Sequence, residues 1–283
     1  MSDTPPPAPR LIYDVGFNNG DDSCYYLSQG FKVVAVEANA ALVEKGKVRF
    51  APEIAAGRLT IVNAALWERS GETATFFINE SECGKSSLDP ERGKLGGAYK
   101  EVTVGTVTIA DLFSQYGVPW YLKIDIEGAD EMVIRSLPKT GEAPAYLSFE
   151  IDHGCPAVDL LAPLGYTGFK LIHPETLTQS LPIFDHELAM RLLRKPSMLL
   201  PRLRSLIASL PEPLRPKKTL WDPERDQRFS IYTTGPFAEE TAGSWKSGEE
   251  MKRWLDYVYR EYDQANAAQH FWYDLHARNE RAG

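Results

Sequence analysis

The chain has 283 residues, 43% hydrophobic and 25% charged, with a formal net charge of −8 and a pI near 5.3. These shares match a globular protein rather than a disordered one, and no apolar run approaches the ~20 residues of a membrane-spanning helix. The acidic balance disfavours non-specific nucleic-acid binding, which needs clustered Lys and Arg against phosphate.

The first strand is read at 11–15, ending in Asp14-Val15, and runs into Gly16-Phe17-Asn18-Asn19-Gly20 and an acidic helix start, Asp21-Asp22-Ser23. Gly16 and Gly20 let the backbone turn tightly and come close to a ligand. A dinucleotide fingerprint would have glycine where Asn18 stands and a helix N-terminus open to a pyrophosphate. Asp21 and Asp22 would repel that group, so the guest expected here is nucleoside-like, cationic and free of phosphate: S-adenosylmethionine. A second strand, 31–36, ends at Glu37-Ala38-Asn39, and an acid at that strand end accepts hydrogen bonds from ribose hydroxyls. A helix follows over 40–55, then a strand over 59–62 leading to Asn63-Ala64, a short polar side chain with a small neighbour suited to an adenine edge.

Alternating segments 73–78 and 101–107 read as added antiparallel strands around the Gly- and Ser-rich loop 79–98, which is expected to border the active site. The strand 121–124 delivers Lys123, Asp125 and Glu127, the two acids sharing a face by their spacing of two. Asp125 is positioned to orient a methionyl amine or an acceptor, and Lys123 or Glu127 to tune it. After a helix over 129–137, the strand 146–149 ends in Glu150, and with His153 it makes a candidate acid/base pair. A short helix over 158–164 and a strand over 168–172 complete this part. No His or carboxylate cluster has convincing metal-ligand spacing in the sequence, so no metal ligand is assigned, and a metal beside Asp125 and Glu127 is left open. Cys24, Cys83 and Cys155 likewise lack the spacing of a disulfide framework or zinc site.

Beyond 173 the character changes. A basic helical insertion at about 174–227 carries Arg191, Arg194, Lys195, Arg202, Arg204, Arg215, Lys217 and Lys218 among leucines and prolines. It reads as a helical cap, a lid, an anionic-substrate site or a membrane-surface contact. A final strand is expected at 228–233, then a turn at 235–237 near the open face, then an amphipathic closing helix over 248–276. Trp245, Trp254 and Trp272 suit core packing or a dimer contact better than a sugar pocket. Residues 1–10 are read as a flexible start without a basic apolar signal region, and the expected location is cytoplasmic.

Taken together, the chain resembles the FkbM-type methyltransferases. The resemblance rests on Asp14-Val15-Gly16-Phe17-Asn18-Asn19-Gly20, Val36-Glu37-Ala38-Asn39, Asn63-Ala64-Ala65-Leu66, Val107-Thr108-Ile109-Ala110-Asp111-Leu112 and, most specifically, Leu122-Lys123-Ile124-Asp125-Ile126-Glu127-Gly128-Ala129-Asp130. It covers roughly 11–172 and departs from the commoner pattern at Ala129-Asp130, where a glutamate often stands, and in the long basic insertion. It implies an α/β class I Rossmann-like doubly wound sheet, mostly parallel with an antiparallel final strand, and methyl transfer to a hydroxyl on a sugar, glycan or natural-product acceptor. Cofactor contacts carry onto Asp14, Gly16, Asn18, Glu37 and Asn63. Phe17, Asn19, Gly20, Asp21, Ser23, Ala38, Asn39, Ala64 and Asp125 complete the candidate cofactor set, and Lys123, Asp125, Glu127, Glu150 and His153 form the candidate catalytic set. One domain over 11–283, a small-molecule or glycan acceptor, no nucleic acid and no transmembrane segment are expected, with peripheral membrane contact and a homodimer left open. Two competing readings stay in play: a nicotinamide-dependent oxidoreductase, disfavoured by Asn18 and the lack of a Tyr-x-x-x-Lys set, and a non-catalytic cofactor-binding module that recruits a partner.

Overall fold

Strand β1 (Leu11–Val15) is buried from Ile12 onward because helices cover both faces of the sheet it centres. The computed structural model describes residues 10–81, 83–173, 178–179, 233–264 and 273–281. After β1 come α1 (Asp21–Ser28), β2 (Lys32–Glu37) and α2 (Ala40–Arg49). The Asn39 side chain caps α2 by accepting the Ala41 N–H. The single helix expected over 40–55 is divided in two, since α3 (Ala51–Ala55) begins anew beyond Phe50. Pro52 has no N–H with which to continue α2.

Strands β3 (Leu59–Asn63), β4 (Ala65–Leu66) and β5 (Thr73–Asn79) are followed by the short helix α4 (Pro90–Gly93) and β6 (Tyr99–Val107). Thr108 then caps α5 (Ile109–Tyr116), accepting the Asp111 N–H. The chain continues through β7 (Tyr121–Ile124), α6 (Asp130–Ser136), β8 (Tyr146–Glu150), α7 (Ala157–Leu161), β9 (Tyr166–His173) and β10 (Thr178–Gln179). A closing helix, Gly248–Gln264, precedes β11 (Asp274–Asn279).

The main sheet runs β3-β2-β1-β7-β8-β11-β9, with β10 added at the β9 edge. Strands β1, β2, β3, β7 and β8 pair in parallel, whereas β11 runs antiparallel to both β8 and β9. This is the class I methyltransferase order with its last strand in the chain reversed. A smaller sheet, β4-β6-β5, carries the antiparallel β5/β6 pair that alternation predicts.

The identity of the reversed strand is a correction. Sequence 228–233 was expected to supply it, and residues 228–232 lie outside the described part, but the closing strand is β11, which starts in the last residues of the span assigned to the closing helix and runs beyond it. Its polar residues Asp274, His276 and Asn279 are buried because β8 and β9 flank it on both edges. The closing helix reaches Gln264 rather than residue 276. The basic stretch 186–218, residues 1–9 and Trp272 also lie outside the described residues.

Two apolar layers hold the sheet. On one face Val15, Val36, Ile124, Phe149 and Leu275 pack with Leu112, Val133, Leu161 and Met251 from α5, α6, α7 and the closing helix. On the other, Ile12, Val33 and Tyr121 pack with Tyr25, Tyr26 and Phe237. Phe237 stacks on Tyr121 at 4.9 Å and meets Tyr26 edge-on at 5.0 Å. The expected open-face turn at 235–237 is therefore packed against α1. Asp22 strengthens that attachment by accepting the Thr234 N–H at 3.0 Å, and Tyr25 donates to Glu240 at 2.6 Å. Trp245 packs beside Tyr146 and under Lys170, and Trp254 lies against the first core. Cys24 is exposed and Cys155 buried, both as free thiols. Among the described residues no helix is long and apolar enough to cross a membrane.

Candidate functional site

Strand order reverses between β1 and β7, and in open α/β sheets a ligand crevice opens at such a point beyond the carboxyl ends of the strands. Register decides which residues stand there. Glu37 pairs with Asn63; Val15 pairs with both Val36 and Ile124; Ile124 pairs with Phe149; and Glu150 pairs with Asp274. The next residue along each strand completes one transverse row: Asn63, Glu37, Gly16, Asp125, Glu150 and Asp274. Five of these six were expected as site residues. Asp274 was hidden because its strand was read as helix.

Gly16 is the hub of this row. Its N–H donates to the Val36 carbonyl at 3.0 Å, and the Asp125 N–H donates to the Val15 carbonyl at 2.9 Å. Its φ is +90°, and a Cβ there would lie 1.8 Å from the Asp125 carbonyl oxygen, so only glycine fits. Glu37 accepts the Asn18 N–H at 2.8 Å and the Asn39 N–H at 2.7 Å. Burial nevertheless pushes its carboxyl up to about 7, against the pull of those N–H groups and Lys123. Asn63 donates to the Glu37 and Ala38 carbonyls at 2.9 and 3.2 Å, which orients its amide along the crevice.

The expected charge filter at the turn is a second correction. Asp21 is bonded to Arg49 at 2.7 Å and to Asn19 at 2.9 Å, while Asp22 turns inward to Thr234 and Lys123. Neither acid stands unpaired before the turn. The Asn18 N–H at this turn is already taken by the Glu37 carboxylate.

Asp14 and Lys123 form the buried support beneath the row. Asp14 is 0% exposed, with one oxygen accepting from Ser23 at 2.6 Å and the other bound to Lys123 at 3.1 Å. Lys123 is 3% exposed and also reaches the Gly16 carbonyl at 3.0 Å, Asp22 at 3.2 Å and Asp125 at 3.5 Å. Burial would lower its ammonium, but Asp14, Asp22 and Asp125 outweigh burial and hold it well above the usual lysine value. Asp22 is raised to about 6, first by burial and then by Asp14. These side chains shape the crevice from below. Phe17 and Gly20 also face inward, packed together near Phe50, and Ala64 is nearly buried. Asn19 is occupied by the Asp21 N–H and side chain.

The other half of the row is acidic. One carboxylate oxygen from each of Asp125, Glu127 and Glu150 lies within 4.8 Å of the others. The Asp125 side chain is 44% exposed, the most open of this group to the crevice. Burial, then Asp125 and Asp130, raises Glu127 to about 8; burial, then Glu127 and Asp125, raises Glu150 to about 10. Asp130 and Asp274 are buried alongside, each held above the usual carboxylate range first by burial and then by Asp125. Arg92 and Lys85, from the 79–98 loop, are nearby cations: Arg92 is bonded to Asp152 and stands 3.9 Å from Glu127, and Lys85 also acts on Glu127. Ser87 of the same loop donates to the Glu127 carbonyl at 2.6 Å, so this loop does border the crevice. Glu127 has a φ of +53°.

His153 does not join Glu150. Its ring contacts Tyr259 of the closing helix, edge-on at 4.9 Å, with Nε2 3.3 Å from the Tyr259 carbonyl. Arg92, Asp130 and Asp274 were absent from the expected site. Asp130 had a signal, its place in the Asp125–Asp130 run; Arg92 and Asp274 had none, being brought in by tertiary contact and strand pairing.

No curated protein sequence matches the chain significantly. Among solved structures, methyltransferase FkbM from Methylobacillus flagellatus KT is similar at 16% identity and a TM-score of 0.34, over 50% of this chain and 32% of that one. The C-terminal domain of precorrin-6Y C5,15-methyltransferase from Rhodobacter capsulatus is similar at 13% identity and a TM-score of 0.35, over 59% of this chain and 67% of that one. The chain thus spans about a third of the first protein's length, and likenesses this loose say nothing about substrates. The sequence family is a firmer matter: the methyltransferase FkbM domain matches residues 14–157, just over half the chain, from the Asp14 turn through Glu150, and the protein belongs to that family.

Proposed function

We propose that this chain is an S-adenosylmethionine-dependent methyltransferase acting on a hydroxyl of a sugar, glycan or natural-product acceptor. The carrying observation is the transverse row, which sets Glu37 and Asn63 on one side of Gly16 and Asp125 on the other. S-adenosylmethionine, when bound, supplies a methyl group on a positively charged sulfur. Glu37 fits its ribose hydroxyls because its carboxylate is already fixed by two backbone N–H groups at the crevice edge. Asn63 fits the adenine edge, and the backbone around Gly16 the methionyl portion. The acid half suits the cationic end of the cofactor, whereas a pyrophosphate would meet Asp125, Glu127 and Glu150, whose neighbouring cations Lys123, Arg92 and Lys85 are already engaged with acids. This disfavours a nicotinamide cofactor. Asp125 holds the acceptor hydroxyl and takes its proton, while Lys123 fixes Asp125 from below.

Calorimetric titration with S-adenosylhomocysteine and with nicotinamide nucleotides tests the reading. The expected result is binding of the first only, weakened about 10- to 100-fold in Glu37→Ala through loss of hydrogen bonds to a charged group. Asp125→Asn is expected to bind the cofactor product near normally and to slow transfer. Absence of S-adenosylhomocysteine binding by the unmodified protein sinks the proposal.

A further inference from the structure

The row also brings together an oxygen-only ligand set that linear spacing does not reveal. Asp125 and Glu127 come from the loop after β7, and Glu150 from the end of β8, beside Asp125 through the Ile124–Phe149 register. Their three nearest carboxylate oxygens lie within 4.8 Å of one another. Opposed ligand oxygens stand roughly 4.0–4.2 Å apart across Mg²⁺ and roughly 4.6–5.2 Å apart across Ca²⁺, twice the metal–oxygen distance in each case. One ion therefore reaches all three with only side-chain adjustment.

Charge balance leaves room for it. Lys123 is shared among Asp14, Asp22 and Asp125, at 3.1, 3.2 and 3.5 Å. Arg92 is bonded to Asp152, stands off Glu127 by 3.9 Å and is shared electrostatically with Glu150 and Asp130, and Lys85 acts on Glu127, so Lys123, Arg92 and Lys85 face a larger number of acids. Glu150 makes no side-chain hydrogen bond or ion pair among the described residues. An independent observation comes from Asp130. This carboxylate is 1% exposed, and its Oδ2 accepts the Gly128 N–H at 3.3 Å, yet its Oδ1 is buried without a hydrogen-bond partner. Asp130 belongs to the same turn as Asp125 and Glu127, and its charge acts on both Glu127 and Glu150. A buried acceptor on the turn that carries two of the three ligand residues suits a water in the coordination shell of a cation, since Mg²⁺ usually keeps several waters and outer-shell carboxylates hold them.

We propose that Asp125, Glu127 and Glu150 bind one hard divalent cation of the Mg²⁺, Mn²⁺ or Ca²⁺ class, with Asp130 holding a water of its shell. The all-oxygen donor set selects against zinc and copper, which favour His and Cys. Cation binding is independent of the cofactor's identity. Its use in polarising an acceptor hydroxyl rests on the methyl-transfer reading.

The test is titration of the chelator-stripped full-length protein with Mn²⁺, followed by the electron paramagnetic resonance of free Mn²⁺, with Mg²⁺ and Ca²⁺ as competitors. One site is expected, weakened about tenfold or more in Glu150→Gln and Glu127→Gln. Thermal melts and S-adenosylhomocysteine titration of the same samples report folding and cofactor binding separately. No Mn²⁺ binding by the unmodified protein up to about 5 mM, beyond the weak end of protein Ca²⁺ sites, overturns the cation site even if S-adenosylhomocysteine binds. Equal Mn²⁺ affinity in the unmodified protein and both folded variants overturns it too. Mn²⁺ binding lost in the variants, with no S-adenosylhomocysteine binding by any sample, supports the cation site and removes the cofactor reading alone.

Discussion

The carbonyl oxygen of Asp125 stands 1.8 Å from the point a Cβ on Gly16 would occupy, so the first turn of the chain and the acid loop meet with no space for a methyl group. Gly16→Ala combines that clash with a φ of +90°. Overpacking of this kind costs about 1–3 kcal/mol, and a left-handed residue about 1–2 kcal/mol more. Urea denaturation should show a loss of this order, and calorimetry a loss of S-adenosylhomocysteine binding even where the variant remains folded.

Lys123→Met should be among the most damaging single changes in the chain. It leaves Asp14 and Asp22 buried without the ammonium they share at 3.1 and 3.2 Å. Breaking a buried ion pair from one side typically costs about 3–5 kcal/mol. Urea midpoints would measure the effect, and a loss below about 1 kcal/mol would show that water replaces the ammonium.

Glu37 gives the protein a pH dependence whose sign is fixed. Its carboxyl is raised from 4.5 to about 7 in the fold, primarily by burial, with Asp14 adding to the rise and Lys123 and the Asn18 and Asn39 N–H groups opposing it. The folded state therefore binds more protons than the unfolded state between those values, and the contribution to stability falls as pH rises through that window. Comparing thermal midpoints of the unmodified protein and Glu37→Gln from pH 5 to pH 8, the variant should gain relative stability as pH increases. A constant difference would mean that Glu37 titrates alike in both states.

Phe237→Ala should loosen the attachment of the 233–241 segment to α1. The ring contacts Tyr25, Tyr26, Phe31, Trp120 and Tyr121, and removing a buried phenylalanine costs about 3–5 kcal/mol. Differential scanning calorimetry would detect a lowered midpoint, with S-adenosylhomocysteine affinity at 25 °C largely kept because Phe237 packs on the face of the sheet rather than at its crevice edge.

The five parallel strands were legible because each is a largely apolar run, four of them closed by a polar residue and β1 by Gly16. The same pattern places Glu37, Asn63, Asp125 and Glu150 at strand ends. β11 escaped because Asp274-Leu275-His276-Ala277-Arg278-Asn279 has little hydrophobic signal. Its place depends on backbone pairing to two neighbours, which one-dimensional patterning does not report. Asp125, Glu127 and Glu150 were all candidate residues, but their approach to within 4.8 Å was not legible for a related reason: Glu150 is distant from Asp125 in sequence and adjacent only through register. The directions taken by Asp21, Asp22 and His153 were illegible as well, since each is decided by a partner, Arg49, Thr234 or Tyr259, from elsewhere in the chain.

Glu127 holds a left-handed backbone at φ +53°, where glycine or asparagine is the easier residue. Local conformational preference alone would not place a glutamate there, and the side chain it brings adds a further acid to an already acidic corner. Both effects lower stability, so the position is one where reach of a carboxylate has prevailed over comfort of the main chain. Substitutions chosen only to stabilise the fold would therefore change this residue first, and by doing so remove part of the chemistry at the end of β7.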